Sequence, residues 1–138
     1  MSDQFSPEKR KKIMSSVRSK NSRAERLVFS HLRKEGMYFQ RHYSRVIGTP
    51  DIALPRKKKA CFIDGDFWHG RRLEELLVKR GEEDYWTKKI SRNVERDFET
   101  RNYLFNHGWK VLSVWESDIL RKRTRDESFK KIIDFMND

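Results

Sequence analysis

The chain is 138 residues long, and its 32 Lys and Arg against 21 Asp and Glu leave a formal net charge of +11. A mean hydropathy of −0.97 leaves no room for a membrane span, whereas nine Phe and four Trp supply enough apolar surface to argue against disorder. The single cysteine, Cys61, excludes an intrachain disulfide and an all-cysteine zinc site, and the surplus positive charge points to a polyanion, nucleic acid being the commonest.

No linker, repeat or low-complexity tract divides the sequence, so residues 1–138 read as one domain with a basic, helical N-terminal segment at about 1–20. Ser6-Pro7-Glu8 opens a first helix. A second spans about Ser22 to Glu35, with Ala24, Leu27, Val28 and Leu32 on one apolar face and Gly36 ending it. Tyr38 to Tyr43 is expected to be a strand. Asp51–Pro55 and Ala60–Asp64 read as a strand hairpin around the basic turn Arg56 to Lys59. A turn centred on Lys57 and Lys58 would set Asp51 opposite Asp64, to within a residue or two of register. Arg71 to Lys79 has a helical pattern. A long helix follows from about Asp84 to Asn106, with Trp86, Ile90, Val94, Phe98 and Phe105 as its apolar stripe and Gly108 as its stop. Trp109 to Trp115 alternates as a strand, and Thr124 caps a final helix bearing Phe129, Ile132, Ile133 and Met136. This order predicts an α/β sandwich, a mixed sheet of about four strands flanked by helices.

Clustered carboxylates beside a basic surface suit phosphodiester hydrolysis. They hold magnesium, which polarises the phosphate and stabilises the leaving oxygen. Pro50-Asp51 followed by a hairpin and Asp64-Gly65-Asp66 resembles the core of restriction-endonuclease-like nucleases, although Asp66 stands where a lysine is common. The stretch Phe62-Ile63-Asp64-Gly65-Asp66-Phe67-Trp68-His69-Gly70 resembles the very-short-patch-repair (Vsr-type) endonucleases, in which a histidine takes the place of that lysine. The resemblance extends over Arg18–Asn21, Ala24-Glu25, Gly48–Asp51, Tyr85–Ile90, Asn93–Asp97, Gly108–Val111 and Val114–Glu116.

The resemblance implies a magnesium-dependent enzyme that nicks one strand of double-stranded DNA beside the thymine of a T:G mismatch left by deamination of 5-methylcytosine. It implies Asp51 as the essential metal ligand beside the carbonyl of Ile63, with Asp64 as a second acidic ligand. His69 would activate the attacking water, Asp97 would orient His69, and Glu25 would hold metal-bound water. Phe67, Trp68 and Trp86 would wedge into the base stack from one groove and Met14 from the other, with Lys89 and Asn93 facing the mismatched pair. No apolar run near Met1 looks like a secretion signal, so a cytoplasmic protein is expected, and the resemblance implies a nucleoid-associated bacterial one, without membrane contact, linked to a cytosine-5 DNA methyltransferase and to repair proteins.

Several of these residues have simpler readings. Ser22-x-x-Glu25 fits a capping box, Asp97 and Arg101 fit an i,i+4 helix pair, Trp86 lies on the apolar stripe, and Met14 could fill a core gap. Family members hold a structural zinc at positions that here read Asp66, Arg71, Leu73 and Ser117, so no zinc is expected. Packing of the helical stretch from Arg71 to Lys79 could hold the loop instead. Two other functions remain open: a restriction-type or mobile-element nuclease with another DNA target, and a DNA-binding module with a decayed site.

Overall fold

The computed structural model describes residues 22–138. The expected first helix, the Arg18–Asn21 match and Met14 lie outside the described residues. Helix α1 (Arg23–Lys34) starts where Ser22 accepts a hydrogen bond from the Glu25 N–H at 3.2 Å. Strands β1 (Gln40–Arg41), β2 (Ile52–Leu54), β3 (Lys59–Asp64) and β4 (Lys110–Trp115) form one sheet in the order β1-β2-β3-β4. The first three are antiparallel and β3 pairs parallel to β4. Between β3 and β4 run α2 (Leu73–Arg80) and α3 (Tyr85–Asn106), and α4 (Glu116–Leu120) and α5 (Lys122–Asn137) follow β4. The result is the α/β architecture expected, a four-stranded mixed sheet between helical layers.

Alternation along β3 divides the molecule into two cores. Cys61 and Ile63 join Val28, Leu32, Ile119 and Ile132 under α1, α4 and α5. Ala60 and Phe62 turn the other way, onto Leu104 of α3. Helix α3 is capped by the Asp84 carboxylate, which accepts from the Trp86 and Thr87 N–H groups. Gly70 keeps a left-handed backbone of φ +72° and lets its loop press on α3, because a Cβ there would stand 2.3 Å from Val94. No helix of the described residues is long and apolar enough to cross a membrane.

Five local expectations need correction. The early strand is only two residues, because His42 takes a left-handed backbone of φ +46° and leaves the ladder. The hairpin turns through a 3-10 segment, Pro55–Lys57, with Lys58 at φ +52°. Its register pairs Ile52 with Cys61, within the two residues allowed for, but Lys59 moves from the turn into β3. Lys59 is 3% exposed, and its ammonium caps the end of α5 by donating to the Phe135 and Met136 carbonyls at 2.7 and 3.4 Å. Phe98 and Phe105 face solvent, 71% and 68% exposed, and Thr87, Ile90 and Leu104 are the buried side of α3. Helix α5 starts before Thr124, whose hydroxyl bonds the Asp118 carbonyl of the unforeseen short α4.

Candidate active site

The site forms along the edge where β2 begins and β3 ends. Pro50 is buried, and the backbone after it leads Asp51 toward β3, where its Oδ2 accepts the Ile63 N–H at 2.7 Å. Burial of Asp51 is the main influence on its carboxyl. With the nearby charges of Glu25 and Asp64, it outweighs the Ile63 hydrogen bond and raises the pKa from 3.8 to about 7. Glu25, on the first turn of α1, is 5% exposed. Its Oε2 hydrogen-bonds Nε2 of His42. Donor atoms of Glu25, His42 and Asp51 all lie within 4.8 Å of one another. Two carboxylates and an imidazole this close, mostly withdrawn from water, have the chemistry of a divalent-cation site.

The loop after β3 carries His69, whose N–H bonds the Gly65 carbonyl at 3.1 Å. Its Nδ1 meets Asp97 Oδ2 of α3 at 2.5 Å and lies 3.7 Å from Asp64 Oδ1. A proton held on Nδ1 toward Asp97 leaves Nε2 as an acceptor. Burial disfavours the charged ring, but the Asp97 hydrogen bond and the charges of Asp64 and Asp97 outweigh it, so the His69 pKa is raised above its usual 6.5. Asp97 therefore serves His69, and Arg101 serves Asp64: the guanidinium reaches both Asp64 oxygens at 2.7 Å and lies over the Phe62 ring. Asp64 is an even-numbered residue of β3 and faces α3 with Ala60 and Phe62, which puts it within reach of Arg101. Asp64 lies near enough to Asp51 across the hairpin for its charge to bear on it, but the side-chain partners differ: Asp51 clusters with Glu25 and His42, and Asp64 pairs with Arg101.

Phe67, Trp68 and Trp86 form one aromatic cluster, with ring centroids 5.2 to 5.9 Å apart, and Phe67 is 49% exposed. Tyr85 extends the cluster, edge-on to Trp86 at 5.2 Å. Lys89 is half-buried on the same helix. Asn93 lies beneath the cluster, and its Nδ2 donates to the Trp68 carbonyl at 3.0 Å, tying the loop to α3.

The loop is fastened by a polar network rather than by packing of α2, which contains no buried residue. Asp66 accepts from the Ser117 N–H at 3.0 Å and from its hydroxyl at 2.5 Å. Arg71 donates to Asp66, Ser117 and Asp118 at 3.2, 2.9 and 3.1 Å. Although partial burial works against its charge, Asp66 is held below the usual carboxylate range by the Ser117 and Arg71 contacts.

Sequence reasoning passed over three residues. Arg101 stood only as a helix partner for Asp97, and its real partner lies 37 positions away. His42 falls within the expected early strand, but it takes a left-handed backbone and its ring meets Glu25. Glu116 entered only as part of a matching stretch. Burial, with Asp66 and Glu25 nearby, raises its carboxyl pKa.

Residues 2–75 match the family described as DNA mismatch endonuclease Vsr. The chain is 36% identical over 134 residues to the type II nicking enzyme V.XorIIP of Xanthomonas oryzae pv. oryzae, covering 97% of this chain and 98% of that protein. It is 34% identical over 123 residues to the type II nicking enzyme V.NmeDIP of Neisseria meningitidis serogroup C, covering 88% and 83%. It is 30% identical over 129 residues to the DNA mismatch endonuclease Vsr of Escherichia coli K12, covering 93% and 83%. With a match over more than half its length and relatives aligned along nearly all of it, the chain belongs to the Vsr family and is a DNA endonuclease with the restriction-endonuclease-like fold.

Proposed function

We propose that this endonuclease nicks one strand of duplex DNA beside the thymine of a T:G mismatch, with magnesium held at Asp51. The observation that carries this reading is the placement of half-buried Asp51 and the Asp97–His69 pair at one sheet edge, next to the Phe67–Trp68–Trp86 cluster with Phe67 exposed. Relatives whose names describe strand nicking and mismatch cleavage support it. A bound divalent cation would supply positive charge to the scissile phosphate and to the leaving oxygen. Asp51 would hold it, with the Ile63 backbone alongside and Glu25 orienting water. His69 Nε2 takes the proton from the attacking water, and Asp97 keeps the ring in the accepting tautomer and stabilises the imidazolium. The aromatic cluster stacks on bases opened at the weakened pair, each contact being worth about 1–3 kcal/mol. Asp64 anchors Arg101 in this reading and is not a ligand. Asn93 steadies the Trp68 loop as well as facing the pair, and Lys89 lies one turn away.

The Asp66–Arg71–Ser117 network supports a second proposal, that the loop needs no structural zinc. A linked cytosine-5 methyltransferase would account for the substrate, since methylated cytosine deaminates to thymine. The test is cleavage of otherwise identical matched and T:G duplexes with magnesium or chelator, and equal cutting of both would favour the restriction-type alternative.

A further inference from the structure

We propose that His42 is a positioning residue for the divalent cation: its Nε2–H holds the Glu25 carboxylate turned toward Asp51. The inference rests on the proposed cation site at Asp51 and adds a residue to it.

Three independent observations meet at this side chain. First, the imidazole hydrogen-bonds Glu25, and the donor atoms of both lie within 4.8 Å of an Asp51 oxygen. Second, His42 occupies a left-handed backbone at φ +46°, which non-glycine residues adopt at a cost. Its N–H is held on the Asp51 carbonyl at 3.0 Å, and the next N–H, of Tyr43, on the Pro50 carbonyl at 2.9 Å. The chain segment that presents Asp51 therefore also sets the direction of the imidazole. Third, the ring stands edge-on to Phe29 of α1 at 5.8 Å, which limits its rotation.

The chemistry follows from these contacts. Glu25 and Asp51 are two acids in a pocket largely closed to water, and their carboxylates repel. A glutamate with three side-chain torsions would relax away from Asp51 unless something directed it. The His42 donor holds Oε2 of Glu25 on the Asp51 side against that repulsion. A carboxylate oriented by an imidazole in this way is an outer-sphere contribution, and loss of such a partner costs about 10- to 100-fold in metal affinity.

The test uses the full-length protein without DNA and Mn2+ alone as the probe, followed by the loss of the free Mn2+ resonance signal. His42→Ala should bind Mn2+ about 10- to 100-fold more weakly than the parent. His42→Gln, which restores an N–H donor at nearly the same reach, should bind close to the parent. Circular dichroism and melting temperature verify folding of both. If Asp51→Asn abolishes Mn2+ binding while His42→Ala binds as the parent does, the His42 role is overturned and the Asp51 site stands. If His42→Gln is as weak as His42→Ala, hydrogen-bond positioning is overturned. If Asp51→Asn binds Mn2+ like the parent, the cation-site reading itself fails and this inference with it.

Discussion

Replacing Asp51 with Asn should stabilise the metal-free protein while removing its activity. The folded site raises the Asp51 pKa from 3.8 to about 7, chiefly through burial. Because the folded carboxyl keeps its proton to a higher pH than the unfolded one, its contribution is complete below pH 3.8 and is lost as pH rises toward 7. At 1.36 kcal/mol per pKa unit, the shift lowers the stability of the folded protein by about 2 kcal/mol at pH 5, where the unfolded carboxyl is ionised and the folded one keeps its proton, and by about 4 kcal/mol at pH 8, where both are ionised. Asparagine keeps an oxygen for the Ile63 N–H and carries no charge to bury. Urea denaturation in EDTA should thus show Asp51→Asn more stable than the parent, with a gap that widens between pH 5 and pH 8. Magnesium at 100 times its dissociation constant should return about 2.7 kcal/mol to the parent and nothing to the variant. A variant no more stable than the parent at pH 8 in EDTA would refute the picture of a carboxylate held ready for a cation.

His69→Ala should slow nicking by at least ~100-fold with little change in DNA affinity. The parent rate should fall as pH drops through a midpoint above 6.5, and Asp97→Asn should move that midpoint down the pH scale, because Asp97 helps raise the His69 pKa. Asp64→Asn should cost about 3 kcal/mol in chemical denaturation by leaving the Arg101 guanidinium poorly paired, with Mn2+ affinity little altered; a large loss of affinity would restore Asp64 as a ligand. Arg71→Ala should cost about 1 kcal/mol and speed amide exchange in the Asp66–Gly70 loop, and elemental analysis of the parent should find no stoichiometric zinc.

Much of the frame could be read locally. Ser22 and Gly36 bracket α1, Asp84 and Gly108 bracket α3, and the alternation from Val111 to Val114 marks β4. These features depend on neighbours a few residues apart, whose effects are visible in a short window. What escaped the sequence depends on distant partners. Lys59 looked like a turn residue because its helix-end acceptors lie more than 75 positions on. Phe98 and Phe105 fit a helical stripe, but the Asp64–Arg101 pair occupies part of the α3 side that faces the sheet. The site was legible as a set of residues, since Asp51, His69, Asp97 and Glu25 do gather at one edge. The Asp97–His69 pair was legible too, whereas Glu25 with His42 and Asp64 with Arg101 were not, because a left-handed residue at His42 and a partner 37 positions away decide them.

Whether Asp51 and the Asp97–His69 pair cut one DNA strand at a mismatched thymine is decided by single-turnover cleavage of a duplex labelled on both strands, bearing either T:G or C:G at one position, with magnesium or EDTA. The expected outcome is one nick, in the thymine strand of the T:G duplex, only with magnesium and not with Asp51→Asn. Cutting that is equal on matched DNA, persists in EDTA, or survives Asp51→Asn would contradict it.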